Sequence, residues 1–205
     1  MDQIHQAGMI HRDLHPGNIL SGSVYYYQIC DLGLSIMESE AHSIKHTNGV
    51  LPYLAPEILS DRNSYTQAAY VYAFDIIMWE ISSCKRPFSE FNHDVQLAIQ
   101  ICQGVRPEIT EDTPPFYRDL MVKCWHVNPA KRPTAKEIKG LLSRIVFNGS
   151  PEISDQLDKA DETRQRVKKE TQILHHGDIY SSRSMSNIIE KLATMNFDDF
   201  VICDD

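Results

Sequence analysis

At 205 residues with 42% apolar side chains, the chain is long enough for one domain with a real core plus an appendage, and short for two independent domains. A net charge of -8, from 28 Asp and Glu against 20 Lys and Arg, excludes the clustered basic surface that nucleic acids require and offers nothing to an anionic membrane. Five cysteines without a Cys-x-x-Cys pair read as free thiols of a reducing compartment; with no secretory leader and no run of eighteen apolar residues, a cytoplasmic or nuclear, non-secreted protein without a transmembrane segment is expected.

In chain order, residues 1 to 7 read as the last turns of a helix closed by Gly8. Residues 9 to 33 alternate short apolar pieces with Gly, Pro, Asn and Asp, which predicts loops and short strands, notably at 19 to 20 and 28 to 30. The stretch from Leu34 to Asn48 is too irregular to assign to an element. Thr66 to Cys84 is apolar almost all round, as a buried helix is. Helices are expected at roughly 93 to 103, 115 to 125 and 134 to 146, the last opened by Thr134 with Glu137 three residues on, the spacing of a capping box. Asn148-Gly149-Ser150-Pro151 marks a boundary between residues 1–147 and a charged tail, 148–205, partly helical or disordered. His42, His46, His93, His126 and the pair His175-His176 lack ligand-like spacing and are expected at the surface.

The chemistry concentrates in IHRDLHPGNIL, residues 10 to 20. Asp13 and Asn18 on one loop, with Asp31 in an Asp-Leu-Gly turn after a short apolar strand, put three oxygen-bearing side chains within eighteen positions. Hard cations such as magnesium favour such oxygens and usually bind through few protein ligands plus substrate phosphates, so metal-assisted phosphoryl transfer is the expected chemistry. Three turn-forming residues alone would not explain the flanking Arg12 or the Ala55-Pro56-Glu57 that follows.

His-Arg-Asp-Leu-His-Pro-Gly-Asn, then Asp-Leu-Gly, then Ala-Pro-Glu, then KCWHVNPAKRP at 123 to 133, resembles in order and spacing the carboxy-terminal half of a eukaryotic protein kinase, with wording most similar to the tyrosine-kinase-like branch. The resemblance implies a mainly α fold: the large lobe of a kinase with a small β-hairpin sheet near the cleft, the small lobe missing. It implies ATP and Mg2+ as cofactors and transfer to a hydroxyl of a protein substrate. It makes Asp13 the group that accepts or orients the hydroxyl proton, Asn18 and Asp31 the magnesium ligands, His11 a packing residue, and Arg12 the partner of a phosphate on Ser39, Ser43 or Thr47. Glu57 and Arg132 would form a buried ion pair.

Several departures from the family pattern are visible. No Gly-x-Gly-x-x-Gly occurs, and the first lysine is Lys45, beyond Asp31, so the loop and lysine that hold the nucleotide phosphates have no counterpart. Tyr70 stands where the family has an aspartate that accepts from the catalytic-loop backbone, and Asp75 where it has a small residue. A carboxylate on so apolar a helix must find a partner, reach solvent or stay protonated. His15 and Val50 replace the Lys and Thr of the Ser/Thr signature without supplying the tyrosine-kinase one, and a lean towards Ser/Thr rests on the branch resemblance. The alternative is a catalytically inactive, kinase-derived module that binds a protein partner; a partner-binding helix within 155 to 172 is a further one.

Overall fold

The computed structural model describes residues 1–23, 26–43, 46–60, 65–148, 150–167 and 180–194. Helix α1, Asp2–Gln6, ends as its sequence requires: Gly8 takes φ 69°, a left-handed value open to glycine, and its N–H closes on the His5 carbonyl at 2.9 Å. Strand β1, Met9–Ile10, leads into the loop; β2, Ile19–Ser23, and β3, Tyr26–Ile29, form an antiparallel hairpin with Ile19 opposite Ile29. Strand β4, Ile36–Met37, then pairs antiparallel with β1, and a 3-10 helix covers Glu38–Ser43. The polar stretch after Leu34 is therefore structured in part. Its order comes from pairing with a distant strand, which local periodicity does not report.

Strand β5, Asn48–Gly49, precedes α2, Pro56–Ser60, and the long α3, Gln67–Ser83. Thr66 caps α3, its hydroxyl accepting from the Ala69 N–H at 3.3 Å. Eleven of the seventeen residues of α3 are buried, and it is the axis around which α4, Val95–Cys102, α5, Pro115–Cys124, and α6, Ala135–Asn148, assemble. The capping box of α6 is formed in both directions: the Thr134 hydroxyl accepts from the Glu137 N–H at 3.2 Å, and the Glu137 carboxylate accepts from the Thr134 N–H at 2.7 Å.

Helix α7, Pro151–Val167, begins four residues earlier than the charge pattern suggests, with proline in its first turn. It is tied to the body by Arg164, which donates to Asp112 and to the Ser82 carbonyl at 2.8 Å each, and by Gln156, which accepts from the Phe116 N–H at 3.1 Å. Strand β6, Arg183–Ser184, and α8, Ser186–Ala193, follow. β6 pairs antiparallel with β5, and Met185, Ile189 and Leu192 are buried in the same core as α2, α3 and α4. The fold is mostly helical with small antiparallel sheets. Where a single hairpin sheet was expected, the described residues form three separate strand pairs, because β4 and β6 find partners far away in sequence. No helix among the described residues is long and apolar enough to cross a membrane.

Candidate active site

The loop from His11 to Asn18 is held by its own side chains. The Asp13 N–H donates to His11 Nδ1 at 3.3 Å, which leaves the ring proton on Nε2, where it donates to the Cys30 carbonyl at 2.8 Å. The Asn18 side-chain amide donates to the Asp13 carbonyl at 2.8 Å, and the Cys30 N–H donates to the Asn18 carbonyl at 2.9 Å. Both backbone groups of Asp13 are thus anchored, and the loop is stitched to the chain just before Asp31. Asp13 and Asn18 are buried, only 7% and 8% exposed, whereas Asp31 is exposed.

Two site residues carry left-handed backbone, Arg12 at φ 71° and Asp31 at φ 59°. That conformation costs a non-glycine residue roughly 1–2 kcal/mol, aspartate tolerating it better than most, and persists only where neighbours enforce it. For Arg12 the enforcement is visible: its guanidinium donates to the His46 carbonyl at 2.9 Å and the Leu34 carbonyl at 3.4 Å, and lies 4.9 Å from the centre of the Tyr65 ring. Arg12 therefore grips both ends of the segment between Asp31 and β5. Tyr65, which supplies the ring, has no motif to reveal it in sequence.

His15 stands 3.8 Å from Asp13, beyond hydrogen-bond range. Its Nδ1 accepts from the Gly17 N–H at 3.2 Å, a turn in which a β-carbon at 17 would come within 2.7 Å of the ring and push it aside. Burial pulls His15 below the usual histidine pKa, outweighing the Asp13 charge that raises it.

Glu57 and Arg132 meet in a two-pronged ion pair, at 2.6 and 2.8 Å. The other Arg132 donors reach the carbonyls of His126, Ala68 and Val127 at 2.7, 3.0 and 3.2 Å. The Arg132 guanidinium also faces the Tyr72 ring at 5.3 Å, with Arg106 at 5.0 Å from the same ring.

Of the three candidate phosphate acceptors, Ser39 is exposed and the Ser43 side chain lies outside the described residues. Thr47 is fully buried, and its carbonyl accepts from the Met185 N–H of the tail. A modifying enzyme has no access to Thr47 in this conformation; its polar surroundings in sequence give no sign of the tail that covers it. His93, expected at the surface, is buried for the same reason, with the Tyr180 ring edge-on at 5.0 Å.

Asp75 is fully buried and neither carboxylate oxygen has a hydrogen-bond partner among the described residues. Of the three options open to it, retention of the proton is the one that fits: burial raises its pKa well above the usual carboxylate value, against the opposing pull of Arg106 and Arg132. Tyr70 packs against the rings of His5 and His11 at 5.0 and 6.1 Å, and its hydroxyl is buried without a partner among the described residues.

The profile of the protein tyrosine and serine/threonine kinase family matches residues 1–142. The chain belongs to that family. Among its relatives it is 36% identical over 146 residues to a protein of Dictyostelium discoideum named a probable serine/threonine-protein kinase, covering 71% of this chain and 16% of that protein. It is 31% identical over 147 residues to the serine/threonine-protein kinase STY17 of Arabidopsis thaliana, covering 71% and 25%, and 31% identical over 145 residues to the serine/threonine/tyrosine-protein kinase HT1 of the same plant, covering 70% and 37%. The chain thus spans well under half the length of these kinases.

Asn18 and Asp31 suit the magnesium ion that kinases use. The Asn18 amide nitrogen donates to the Asp13 carbonyl, so it is the side-chain oxygen that would serve as a ligand, and the Asp31 carboxylate is open to solvent. Two hard oxygens are the number expected when phosphate oxygens and water complete the shell.

Proposed function

We propose that this chain supplies the base-bearing, metal-binding half of a protein kinase that transfers phosphate from ATP to a Ser or Thr hydroxyl of a protein substrate. The observation that carries the reading is the double anchoring of the Asp13 backbone, through His11 and Asn18, which holds the residue that bears the carboxylate on the same loop as the Asn18 amide. Asp13 would orient the attacking hydroxyl and take its proton, a role whose removal typically costs 10²–10⁴-fold. Asn18 and Asp31 would hold magnesium, which when bound neutralises charge on the phosphate oxygens. Arg12, bonded to the segment on both sides of Ser39, would sense phosphate there.

The phosphate-binding loop and lysine are absent from these residues, so the transfer is proposed for a polypeptide that also contains a small lobe upstream. The test is magnesium-dependent transfer of labelled phosphate from ATP to a generic protein substrate by such a polypeptide. Asp13→Asn should lower the rate at least ~100-fold. Equal rates for both, or no transfer by either, would sink the proposal.

A second reading, a kinase-derived binding module without transfer, is favoured by the partnerless Tyr70 hydroxyl and the buried Asp75. It requires that magnesium and ATP together leave the melting temperature of the chain unchanged; a rise beyond experimental scatter would count against it.

A further inference from the structure

Strand β5 lies directly ahead of Ala55-Pro56-Glu57, and its edge is taken by the tail. Asn48 faces Ser184, Gly49 faces Arg183, and the Met185 N–H continues the ladder to the Thr47 carbonyl at 2.8 Å. Gly49 admits this pairing through φ 151°, a value other residues rarely adopt, and a β-carbon there would meet Leu54 at 3.0 Å. Beyond the strand, α8 lays Met185, Ile189 and Leu192 against α4 and α2, each no more than 2% exposed. The spacing 185, 189, 192 is that of one helical face filling a groove. Upstream of the strand, the Tyr180 hydroxyl donates to the Pro87 carbonyl at 3.0 Å while its ring packs against His93 and Arg86, and Arg183 donates to the His93 carbonyl at 2.7 Å. Three recognition modes therefore act together: strand addition, an anchored helix and an aromatic–cation contact.

We propose that residues 180–194 are a tethered peptide ligand of this face: the surface formed by β5, α2, α4 and the 86–93 loop is a docking site for a strand-then-helix segment, filled by the chain itself. A partner of the same pattern, an aromatic residue, an arginine, then apolar anchors at i, i+4 and i+7, competes with the tail for the site. Only twelve residues separate the end of α7 from Tyr180, and short tethers give effective concentrations of order mM. A free segment of ~10 μM affinity is therefore at a disadvantage of about 100-fold until the tail leaves. That the same face admits a protein substrate rests on the kinase reading above; the docking itself does not.

The test uses the whole chain and no phosphate transfer, so it fails separately from that reading. Hydrogen exchange followed by mass spectrometry should show fragments over 183–194 protected, and Met185→Asp combined with Leu192→Asp should abolish that protection and speed exchange at 46–50. Protection over 67–83 reports that the variant remains folded; if it drops, Tyr180→Ala combined with Arg183→Ala replaces it, both sites being at least partly exposed. A synthetic peptide, YSSRSMSNIIEKLAT, should bind the released variant at least ~100-fold tighter than the unaltered chain. The proposal is overturned if fragments over 183–194 exchange equally fast in both chains, or if the peptide binds both chains alike or neither.

Discussion

Replacing Arg132 by methionine isolates the tie between Glu57 at the start of α2 and the helical body. The guanidinium has five N–H donors, and all five are engaged: two with Glu57 and one each with the carbonyls of Ala68, Val127 and His126. Methionine keeps most of the apolar stem and removes every donor. Glu57, only 14% exposed, is left charged without its partner, and three carbonyls lose a bond. Breaking a buried pair from one side costs ~3–5 kcal/mol, a large share of the ~5–15 kcal/mol by which a domain is stable. With a urea m value near 2 kcal/mol/M, a loss of ~4 kcal/mol lowers the midpoint by about 2 M. Arg132→Lys keeps the charge but cannot span the acceptors, so it should fall between the two. In Glu57→Gln combined with Arg132→Met no carboxylate is stranded, and the double variant should be more stable than the summed single losses by at least ~1.5 kcal/mol. Additivity within ~0.5 kcal/mol, or a midpoint shift below about 0.5 M for Arg132→Met, would refute the reasoning.

Asp75→Asn should stabilise the chain, and more so at high pH. Because burial raises the folded-state pKa of Asp75 above its unfolded value, the folded chain keeps a proton that the unfolded chain releases, so stability falls as pH rises from about 4 towards the folded value. Asparagine removes that slope, with a gain of ~1–2 kcal/mol at pH 8 and less at pH 4.5; urea midpoints showing the same difference at both would count against it. His5 acts at the acid end: burial, helped by the N-terminal amine and opposed by Glu38 and Asp2, lowers its pKa to about 4. The unfolded chain then binds a proton that the folded chain refuses, and up to ~3 kcal/mol is lost as pH falls from 6.5 to 4; His5→Leu should flatten that limb of a thermal melting series. Asn18→Ala should cost ~1–2 kcal/mol and raise amide exchange across 13–18 while leaving α5 protected; unchanged exchange in the loop would show that Asn18 does not hold it.

What the sequence reveals of this molecule is its local physics. The continuous apolar character of α3, the capping box at Thr134 and the turn at Gly8 are each set by local sequence, and each appears where the pattern puts it. The His-Arg-Asp loop is legible for the same reason, because its anchors, His11 and Asn18, fall within five residues of Asp13. The contacts that stay hidden join distant segments: β1 with β4 across 26 residues, Arg12 with Tyr65, and above all β5 with β6 across 134 residues. The tail's Met185, Ile188, Ile189 and Leu192 recur at helical spacing, but an apolar helical face does not name the groove that buries it, so their place in the core is not legible from sequence.

The departure at Tyr70 bears on where competence is decided. An acceptor under the catalytic loop matters only if the loop's donors have nowhere else to go. Here the Asp13 N–H is taken by His11 and the Asp13 carbonyl by Asn18, so the residue that must stay still is fixed from two and five positions away without help from α3. Tyr70 contributes ring packing under His5 and His11 instead, and the cost of the exchange falls on its own buried hydroxyl. The substitution therefore removes a hydrogen-bond acceptor without loosening Asp13. On the proposed kinase reading, transfer would then depend on what holds the nucleotide opposite Asn18 and Asp31 and, on the docking proposal, on whether the tail yields the edge of β5 to another protein.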